Sequence, residues 1–368
     1  MTRNLNKIIW ITTIVIIVVG LAALYSASYQ NSRISQKVFF DQLILASVGI
    51  LAIFGLSYID YRKFYDLAYV FYIVNVIFLL AIFIFGRYAL GAKRWIEFFG
   101  LNFQPSEMMK FSIILVLARY FSDTKPKIEF SRYGLRSEFF SDFLIPLVIV
   151  SFPALLVFKQ PDLGTALLLF GIFVVVLYAS GISYKYFFSF LGCGLVLVPV
   201  LWSFMKPYQK DRLLVFLNPN IDPLGAGYTI IQSKIAVGSG QMFGKGWLSG
   251  TQNQLNFLPE RHTDFIFSVI GEEWGLAGAF FLIACFFILI MTTLNLVDRA
   301  NEKFGYLAGI GIVSILTLQT VINIGMVLGL CPIVGLTLPF VSYGRSSFVV
   351  FVLMIGFLLS LGKRRTVF

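Results

Sequence analysis

The chain contains a succession of apolar stretches close to 20 residues long, and these constrain its fold more than any other feature. A helix needs about 20 apolar residues to cross the hydrocarbon core of a bilayer. The first stretch covers residues 8–24, and others follow along most of the sequence. Only 13% of the 368 residues are charged, whereas roughly 25% is usual in a soluble domain. The sequence therefore predicts an all-α polytopic membrane protein.

The hydropathy pattern predicts about ten transmembrane helices in a single integral membrane domain that covers residues 1–368. The first apolar stretch resembles a signal peptide, but the many later spans favour a retained helix. Residues 205–263 are predicted to form a long extracytoplasmic loop between helices 7 and 8, with a short interfacial helix at 228–237. The ten predicted helices cover residues 8–26, 38–59, 67–86, 105–121, 143–158, 163–180, 186–204, 264–293, 306–330 and 338–361.

Lysine and arginine in the short loops indicate the orientation of these helices. Short cytoplasmic loops are enriched in both residues. With the N-terminus inside, 14 of them lie in cytoplasmic segments and 6 in short outer loops. This bias predicts that both termini are cytoplasmic and that residues 205–263 face outward.

Several chemistries are disfavoured by the residues present. Cys193, Cys285 and Cys331 form no C-x-x-C pair, and the lone His262 has no partner at ligand spacing, which argues against zinc. The stretch "GSGQMFGKG" at 238–246 lacks the first glycine of a phosphate-binding loop and the Ser or Thr that follows its lysine. The net charge of +11 fits anionic lipid better than nucleic acid, because no basic stretch is interleaved with aromatic residues.

Three of the helices predicted to begin at the outer face carry an acid at their start. Glu107 lies in "FQPSEMMK", Asp162 in "KQPDLGT" and Asp264 in "RHTDF". One acid in a first turn is an ordinary helix-start signal. Acids near the hydrocarbon cost free energy, however, so three at one membrane depth favour a function over three separate structural roles.

Lys110 strengthens that interpretation. It follows Glu107 by three residues, so the two side chains share a helix face. It also lies about one turn deeper, where an ammonium group needs a partner or a polar cavity. A simple ion pair that holds the helix end is the alternative.

Other polar side chains at the outer face suit an anionic ligand. In "GAKRWIEF" (91–98), Lys93 and Arg94 suit phosphate oxygens, although an interfacial anchor is the alternative. His262 is expected to contact substrate or to cap the loop, with Arg261 beside it as a further cation. Ser342 is not supported as a nucleophile by any Ser–His–Asp order, and we expect it to bind substrate. An anionic, lipid-linked substrate with an energy-rich leaving group such as pyrophosphate fits this face.

Together these motifs resemble the SEDS family (shape, elongation, division and sporulation proteins), and more closely its elongation branch than its division branch. The likeness covers nearly the whole chain, and the long outer-loop motif is highly specific. The chain departs locally from the family pattern, with Arg345 in place of a glycine and Trp274 in place of a smaller aliphatic residue. The likeness is carried by "GAKRWI" (91–96), "FQPSEMMK" (103–110), "QPDLGTA" (160–166), "DPLGAGYTIIQSKIAVGSG" (222–240), "GKGWLSGTQ" (244–252), "LPERHTDFIFSVIGEE" (258–273) and "NIGMVLGLCPIVGLTLPFVSYG" (323–344).

The resemblance implies the ten-helix SEDS fold in a bacterial inner membrane and a metal-assisted glycosyltransferase that polymerises lipid II without a nucleotide. It carries the essential aspartate onto Asp264 and functional roles onto Glu107 and Lys110, and more loosely onto Arg94, Asp162 and His262. It also implies a divalent cation, Mg or Mn, and, as partners, a class B penicillin-binding protein and the elongation machinery.

We hypothesise that Asp264 is the general base, with a role as metal ligand left open. Two alternatives from other classes are a lipid-linked precursor flippase and a non-catalytic scaffold for cell-wall enzymes.

Overall fold

The computed structural model describes residues 2–29, 33–89, 92–98, 101–124, 143–182, 207–223 and 227–364, together with Gly225 and scattered positions between 187 and 205. The described chain is almost entirely helical, as the apolar stretches predict. Its twelve named helices are α1 (Thr2–Ser28), α2 (Arg33–Leu56), α3 (Arg62–Phe85), α4 (Pro105–Asp123), α5 (Ile145–Lys159), α6 (Leu163–Ala179), α7 (Pro207–Leu217), α8 (Tyr228–Ser239), α9 (Thr251–Gln254), α10 (Ile266–Val297), α11 (Lys303–Val327) and α12 (Arg345–Arg364). A single 3-10 turn covers Pro219–Ile221.

Six of the described helices are long and apolar enough to cross a membrane, namely α1, α2, α3, α10, α11 and α12. Helices α5 and α6 are shorter and equally apolar. Their positions match the predicted fifth and sixth spans, and α4 matches the predicted fourth. The prediction of a polytopic all-α membrane protein is confirmed. The predicted seventh helix, residues 186–204, falls largely outside the described residues.

Helix α4 lies at the centre of the bundle and packs against α3, α6, α11 and α12. Its position explains why it is the least apolar of the long helices yet one of the most buried. Pro105 begins it, as the sequence predicts, and Gln104 is the preceding residue in extended conformation. The charged side chains of Glu107 and Lys110 are therefore carried into the protein interior and away from lipid, which is where such residues are tolerated.

The last helix begins later than the sequence predicts. Residues 328–344 are not helical, and α12 starts at Arg345. Pro332 and Pro339 cannot donate to a helix ladder, and Gly335 has a φ of 72°. The later part of this irregular segment, residues 338–342, is buried within the protein, where other groups satisfy its backbone, and the segment contributes one wall of the site described below.

Helix α10 is broken at Gly275, where φ is 65° and ψ is −160°. The break frees backbone groups, and the glycine-rich segment 240–246 supplies their partners, as is needed for irregular backbone at membrane depth. At Gly240 an added Cβ would lie 1.9 Å from the Gly271 carbonyl oxygen, so only glycine allows this approach. The pairing bonds run from Lys245 N to Glu272 O (3.0 Å), Gly246 N to Glu273 O (3.0 Å), Leu276 N to Gln241 O (2.8 Å) and Ala277 N to Met242 O (3.0 Å).

Two buried carboxylates next to this break, those of Glu272 and Glu273, bind the loop at residues 245–253. Glu272 accepts hydrogen bonds from Lys245 Nζ (2.8 Å), Thr251 Oγ1 (3.1 Å) and the backbone N–H groups of Gln252 (2.9 Å) and Asn253 (3.3 Å). Its side chain is fully buried. The second acid, Glu273, accepts from the Leu248 N–H at 3.3 Å. Both acids thus have a structural role, because they bind backbone groups of the loop.

We expect Glu272→Ala to destabilise the protein by roughly 2–5 kcal/mol, since it leaves the N–H donors of Gln252 and Asn253 without this acceptor and removes the carboxylate partner of the Lys245 ammonium. Thermal unfolding in detergent measures this. Hydrogen exchange at the amides of Gln252 and Asn253 should also accelerate. Asp298→Ala, which removes an exposed acid beyond the other end of α10, is the matched control and should change neither readout. Unchanged exchange at both amides in Glu272→Ala would contradict the assignment.

Candidate functional site

A three-stranded antiparallel sheet at one end of the bundle positions the basic motif "GAKRWIEF". Its strands are β1 (Arg87–Ala89), β2 (Ala92–Phe98) and β3 (Leu101–Phe103), in the order β1-β2-β3. These residues lie between the predicted helices 67–86 and 105–121, and no strand was predicted there. Arg94 lies on β2, and its guanidinium donates to the carbonyl oxygens of Gln160 (3.1 Å) and Pro161. These bonds fix the cation against the turn that precedes α6.

The first turns of α4 and α6 meet through Gln104. Its backbone N–H donates to Ser346 Oγ (2.9 Å), and its side-chain amide donates to Asp162 Oδ2 (3.3 Å). Asp162 is the N-cap of α6 and accepts from the Thr165 N–H at 3.2 Å. The bond to Thr165 is the helix-start role that the sequence analysis gave as the alternative for each acid.

Lys110 has a carboxylate partner inside the protein. Its Nζ lies 2.7 Å from Glu107 Oε1 and 3.3 Å from Gln319 Oε1, and its side chain is fully buried. Gln319 in turn donates to the carbonyl oxygen of Thr337 at 2.9 Å. Glu107 Oε2 is buried and, within the described residues, has no hydrogen-bond partner. One oxygen of this carboxylate is therefore available to a ligand.

Asp264 lies in a turn before α10. The turn covers residues 260–265, so the helix starts at Ile266 and the prediction that Asp264 belongs to its first turn is wrong. The cause is the backbone of Glu260, whose φ is 49° and whose carbonyl accepts from the N–H groups of Thr263 (3.1 Å) and Phe265 (3.3 Å). This arrangement leaves the Asp264 carboxylate free of the helix backbone.

The backbone on both sides of Asp264 is held by other helices and by the irregular segment. Asn323 donates to the Asp264 carbonyl at 2.9 Å, and Ser342 Oγ donates to the Thr263 carbonyl at 2.5 Å. Gly335 faces the carboxylate, since a Cβ at that position would lie 3.6 Å from Asp264 Oδ2. The carboxylate is thus held in place by backbone contacts that do not use its oxygens.

These elements enclose a cavity of about 430 Å³. Its walls combine cations, carboxylates and hydroxyl groups, which suits a polar, anionic ligand. The charged residues of the wall are Arg94, Glu107, Arg212, Glu260, Asp264 and Arg345.

The structure brings some predicted site residues together and places others outside the wall. Arg94, Glu107 and Asp264 line the cavity. Lys110 lies directly behind Glu107, and Asp162 is linked to the wall through Gln104. These five residues form one connected region, as the shared membrane depth of their helix starts predicts.

The remaining predicted substrate contacts have structural partners instead of a place in the cavity wall. Arg261 is buried and donates to the carbonyl oxygens of Asn253 (2.8 Å) and Ala27 (3.0 Å). Ser342 is buried and bonds backbone groups. The His262 carbonyl accepts from the Tyr343 N–H at 2.8 Å. Neither His262 nor Lys93 is among the described residues that line the cavity.

Sequence reasoning missed Arg212 and Glu260 as wall residues. Arg212 lies on α7, within the long loop, and donates to the Ile333 carbonyl at 3.4 Å. No sequence motif identified Arg212 as a site residue, because it lies near Asp264 only when the long loop folds onto the rest of the protein. Arg345 forms an ion pair with Asp41 on α2, so the residue that departs from the family pattern ties the start of α12 to a neighbouring helix.

Charge and burial tune the ionisable groups near the turn. Burial and, to a smaller extent, the Glu260 carboxylate raise the pKa of Asp264 to about 6, against the opposing effect of the Arg212 cation. Burial and, to a smaller extent, the Arg261 cation lower the pKa of His262 to about 4. Asp264 is therefore the group poised to exchange a proton near neutral pH, as a general base requires.

The donor set fits a hard divalent cation of the Mg²⁺ class. Such an ion keeps several waters and is bound by one or two carboxylates together with substrate phosphate oxygens. Asp264 and the unpartnered Glu107 Oε2 are carboxylate oxygens of the same cavity. In the described part of the chain no group of three or more His, Cys, Asp or Glu residues forms a complete metal site. An ion here would need the substrate to complete its coordination.

We expect the rate of the glycosyl transfer implied by the family resemblance to fall as pH drops through about 6. The fall should be about tenfold per pH unit well below that value, because protonation removes the basic oxygen of Asp264. His262, with its pKa near 4, is already neutral in this range. The raised pKa of Asp264 means that protonation favours the folded state, so the loss of rate is not caused by unfolding at this group. Initial rates between pH 5 and pH 8, with melting temperatures at each pH, measure this. A flat profile across pH 6 would contradict it.

The chain is similar to known proteins over almost its full length. Residues 6–366 match the family model FTSW_RODA_SPOVE, described as a cell cycle protein. The chain is 39% identical to the peptidoglycan glycosyltransferase MrdB of Escherichia coli, with 98% of this chain and 94% of that protein covered. It is 36% identical to a probable peptidoglycan glycosyltransferase FtsW of Geobacter metallireducens, with 94% and 91% covered.

Solved structures share the same fold. One, titled "Structural coordination of polymerization and crosslinking by a peptidoglycan synthase complex", contains a chain that is 29% identical, with a TM-score of 0.79 and 98% of both chains covered. The rod shape determining protein RodA of Thermus thermophilus is 25% identical, with a TM-score of 0.69 and 97% and 96% of the two chains covered.

Proposed function

Since this chain belongs to the FtsW, RodA and SpoVE family of cell cycle proteins, we infer that it is a peptidoglycan glycosyltransferase of the cell membrane. We propose that it polymerises lipid II into glycan strands during cell elongation and shape maintenance and releases undecaprenyl pyrophosphate. The observation that carries this proposal is the cavity whose wall contains Asp264, three arginines and Glu107, the carboxylate partner of Lys110. A base beside a group of cations is what attack on a pyrophosphate-linked sugar requires.

In the proposed reaction, Asp264 accepts the proton of the sugar 4-hydroxyl of the acceptor lipid II. The freed oxygen forms a bond to the anomeric carbon of the growing strand. The bond from that carbon to the pyrophosphate breaks, and the leaving group takes the electron pair. One displacement inverts the anomeric carbon, and the proton on Asp264 passes to solvent before the next cycle.

The cations of the site stabilise the charge that develops on the leaving pyrophosphate. Arg94 and Arg212 line the cavity, and guanidinium groups match phosphate oxygens in a bidentate geometry. Lys110 is buried behind Glu107, where a fixed charge acts more strongly than it would in water.

The alternative role that we propose for Asp264 is metal ligand: it and Glu107 would then hold a Mg²⁺ or Mn²⁺ ion, which would add positive charge at the pyrophosphate. No nucleotide is needed, because the energy of the reaction is already in the substrate.

Polymerisation by the purified protein tests this function. The full chain in detergent, given labelled lipid II and Mg²⁺, should make long glycan strands with no membrane gradient. A precursor flippase would move lipid II across sealed vesicles and make no glycan, and a scaffold would do neither. Absence of strands from folded protein, with or without its partner, would contradict the enzyme assignment.

We propose a class B penicillin-binding protein as partner. The similarity to a chain of a peptidoglycan synthase complex that couples polymerisation to crosslinking supports this. Purification from native membranes in mild detergent should recover a transpeptidase with this chain. Recovery of the polymerase alone at full activity would count against an obligate complex.

We also propose that both termini are cytoplasmic and that the cavity faces outward, on the basis of the 14-to-6 bias of basic residues. Single cysteines at Ser249 and Asn301, both exposed, can be probed with an impermeant thiol reagent in intact cells after the three native cysteines are replaced. Labelling at 249 without labelling at 301 is expected, and the reverse pattern would overturn the orientation.

A further inference from the structure

A second cavity, of about 630 Å³, lies where the start of α1 meets the ends of α2 and α12. It shares no lining residue with the site that contains Asp264. Its polar lining includes Arg3, Lys7 and Lys363, and its apolar lining includes Trp10, Ile11 and Phe54. The proposed reaction uses none of these side chains.

Helix geometry explains how the lining is assembled. Arg3, Lys7 and Trp10 are separated by four and three residues, so they form one stripe along α1. Helix α12 approaches α1 closely at Gly362, where an added Cβ would lie 2.2 Å from Asn6 Oδ1. This close contact forms the floor of the cavity and brings Lys363 beside the cations of α1.

Among the described residues that line the cavity, the charged ones are all basic. Arg3 and Lys7 are exposed, and neither forms an ion pair with another described residue. Lys363 donates to Ser57 Oγ at 2.7 Å, and its ammonium lies 3.4 Å from the centroid of the Tyr58 ring. Arg3 and Lys7 beside a third basic side chain favour an anionic ligand.

The apolar side of the cavity faces the membrane. Ile11 is 63% exposed and Phe54 is 54% exposed, although both belong to spanning helices. The rings of Trp10 and Phe54 pack with centroids 6.5 Å apart, and Trp is typical of the level of the lipid headgroups. A ligand that fills this space would place a negative group against the cations and a hydrocarbon chain along Ile11 and Phe54.

We propose that this cavity is a binding site for an anionic phospholipid of the bilayer leaflet that contacts the start of α1. The phosphate diester contacts Arg3, Lys7 and Lys363, and the acyl chains lie along the exposed faces of α1 and α2. Basic pockets between transmembrane helices bind such headgroups. A free phosphate or a soluble nucleotide would leave the apolar wall without a partner.

Native mass spectrometry of the purified full chain, titrated with phosphatidylglycerol or phosphatidylcholine, tests the proposal. Wild type should retain one phosphatidylglycerol in preference to phosphatidylcholine, and equimolar inorganic phosphate should not displace it. The triple variant Arg3→Gln, Lys7→Gln, Lys363→Gln should bind phosphatidylglycerol about 100-fold more weakly, since each cation near a lipid surface contributes roughly fivefold. Retention of phosphatidylglycerol by that variant at wild-type affinity would overturn the proposal.

A matched control removes three cations of the same membrane face that lie outside the cavity, through Lys63→Gln, Arg299→Gln and Lys303→Gln. Its affinity should stay within about fivefold of wild type, and an equal 100-fold loss would show diffuse surface attraction and overturn the site. Because Lys363 also bonds Ser57, the double variant Arg3→Gln, Lys7→Gln, which changes only exposed side chains, replaces the triple variant if that does not fold. It should lose about 25-fold, and unchanged affinity in a folded double variant would refute the proposal.

Discussion

The Asp264→Asn variant is expected to polymerise lipid II at least about 10²-fold more slowly than wild type, which is the scale of general acid–base catalysis. Asparagine keeps the size of the side chain but removes its negative charge and its basic oxygen. Both proposed roles, base and metal ligand, lose their essential atom. The measurement is the initial rate of glycan strand formation by purified protein.

Folding should be preserved in that variant, because Asn323 and Ser342 hold the backbone of the turn and do not contact the Asp264 carboxylate. Asp211→Asn is a suitable control, since it removes an exposed acid one residue from Arg212 on α7. We expect it to retain the wild-type rate. Asp264→Asn that makes strands as fast as wild type would mean that Asp264 only shapes the turn, and the proposed mechanism would be wrong.

The Lys110→Met variant is expected to lose activity and to be destabilised by roughly 3–5 kcal/mol. The destabilisation is expected because Glu107 would be left as a buried carboxylate without its cation. Methionine fills most of the space of the lysine stem, so a cavity contributes little to the change. Thermal unfolding and the polymerisation rate are measured together, and Lys63→Met, an exposed change at the other end of the bundle, should alter neither.

The double variant Glu107→Gln, Lys110→Met separates stability from catalysis. Replacing both members of a buried pair by neutral groups often restores stability, so its melting temperature should return most of the way to that of wild type. Its activity should stay low, because the positive charge near the leaving pyrophosphate is still missing. Full activity in the double variant would show that the pair serves only to stabilise the start of α4.

The predicted helix starts differ in how well they match the structure, and the reason is local. Pro105 begins α4 and Asp162 caps α6, as predicted, because proline and an N-cap acid act on the adjacent turn of the same helix. The start of α10 and the start of α12 were predicted too early. At both, contacts with distant parts of the chain decide the backbone, because the turn at residues 260–265 and the irregular segment 328–344 are bonded to other helices.

In the candidate site, too, some features could be predicted from local sequence and others depend on contacts between distant parts of the chain. Asp264, Glu107, Lys110 and Arg94 were predicted from acids and cations at one membrane depth, and the structure brings them into one region. The roles of Arg261 and Ser342 in packing, and the place of Arg212 in the wall, could not be read from the sequence. Each depends on which backbone groups the long loop meets when it folds back onto α1, α10 and α11.

The sequence by itself determined that this chain is a helical membrane protein and where most of its spans lie, because the length and hydropathy of a span are local properties that the bilayer selects. It also indicated which acids and cations lie close to one another at the starts of different helices. Only the tertiary structure decided that α4 lies at the centre of the bundle and that α10 breaks at Gly275. It also decided that the glycine-rich loop forms hydrogen bonds with the backbone groups that this break leaves free. These features arise from hydrogen bonds and close packing between residues far apart in the chain, and it is this packing that buries the Lys110 ammonium against Glu107 and raises the pKa of Asp264 to about 6.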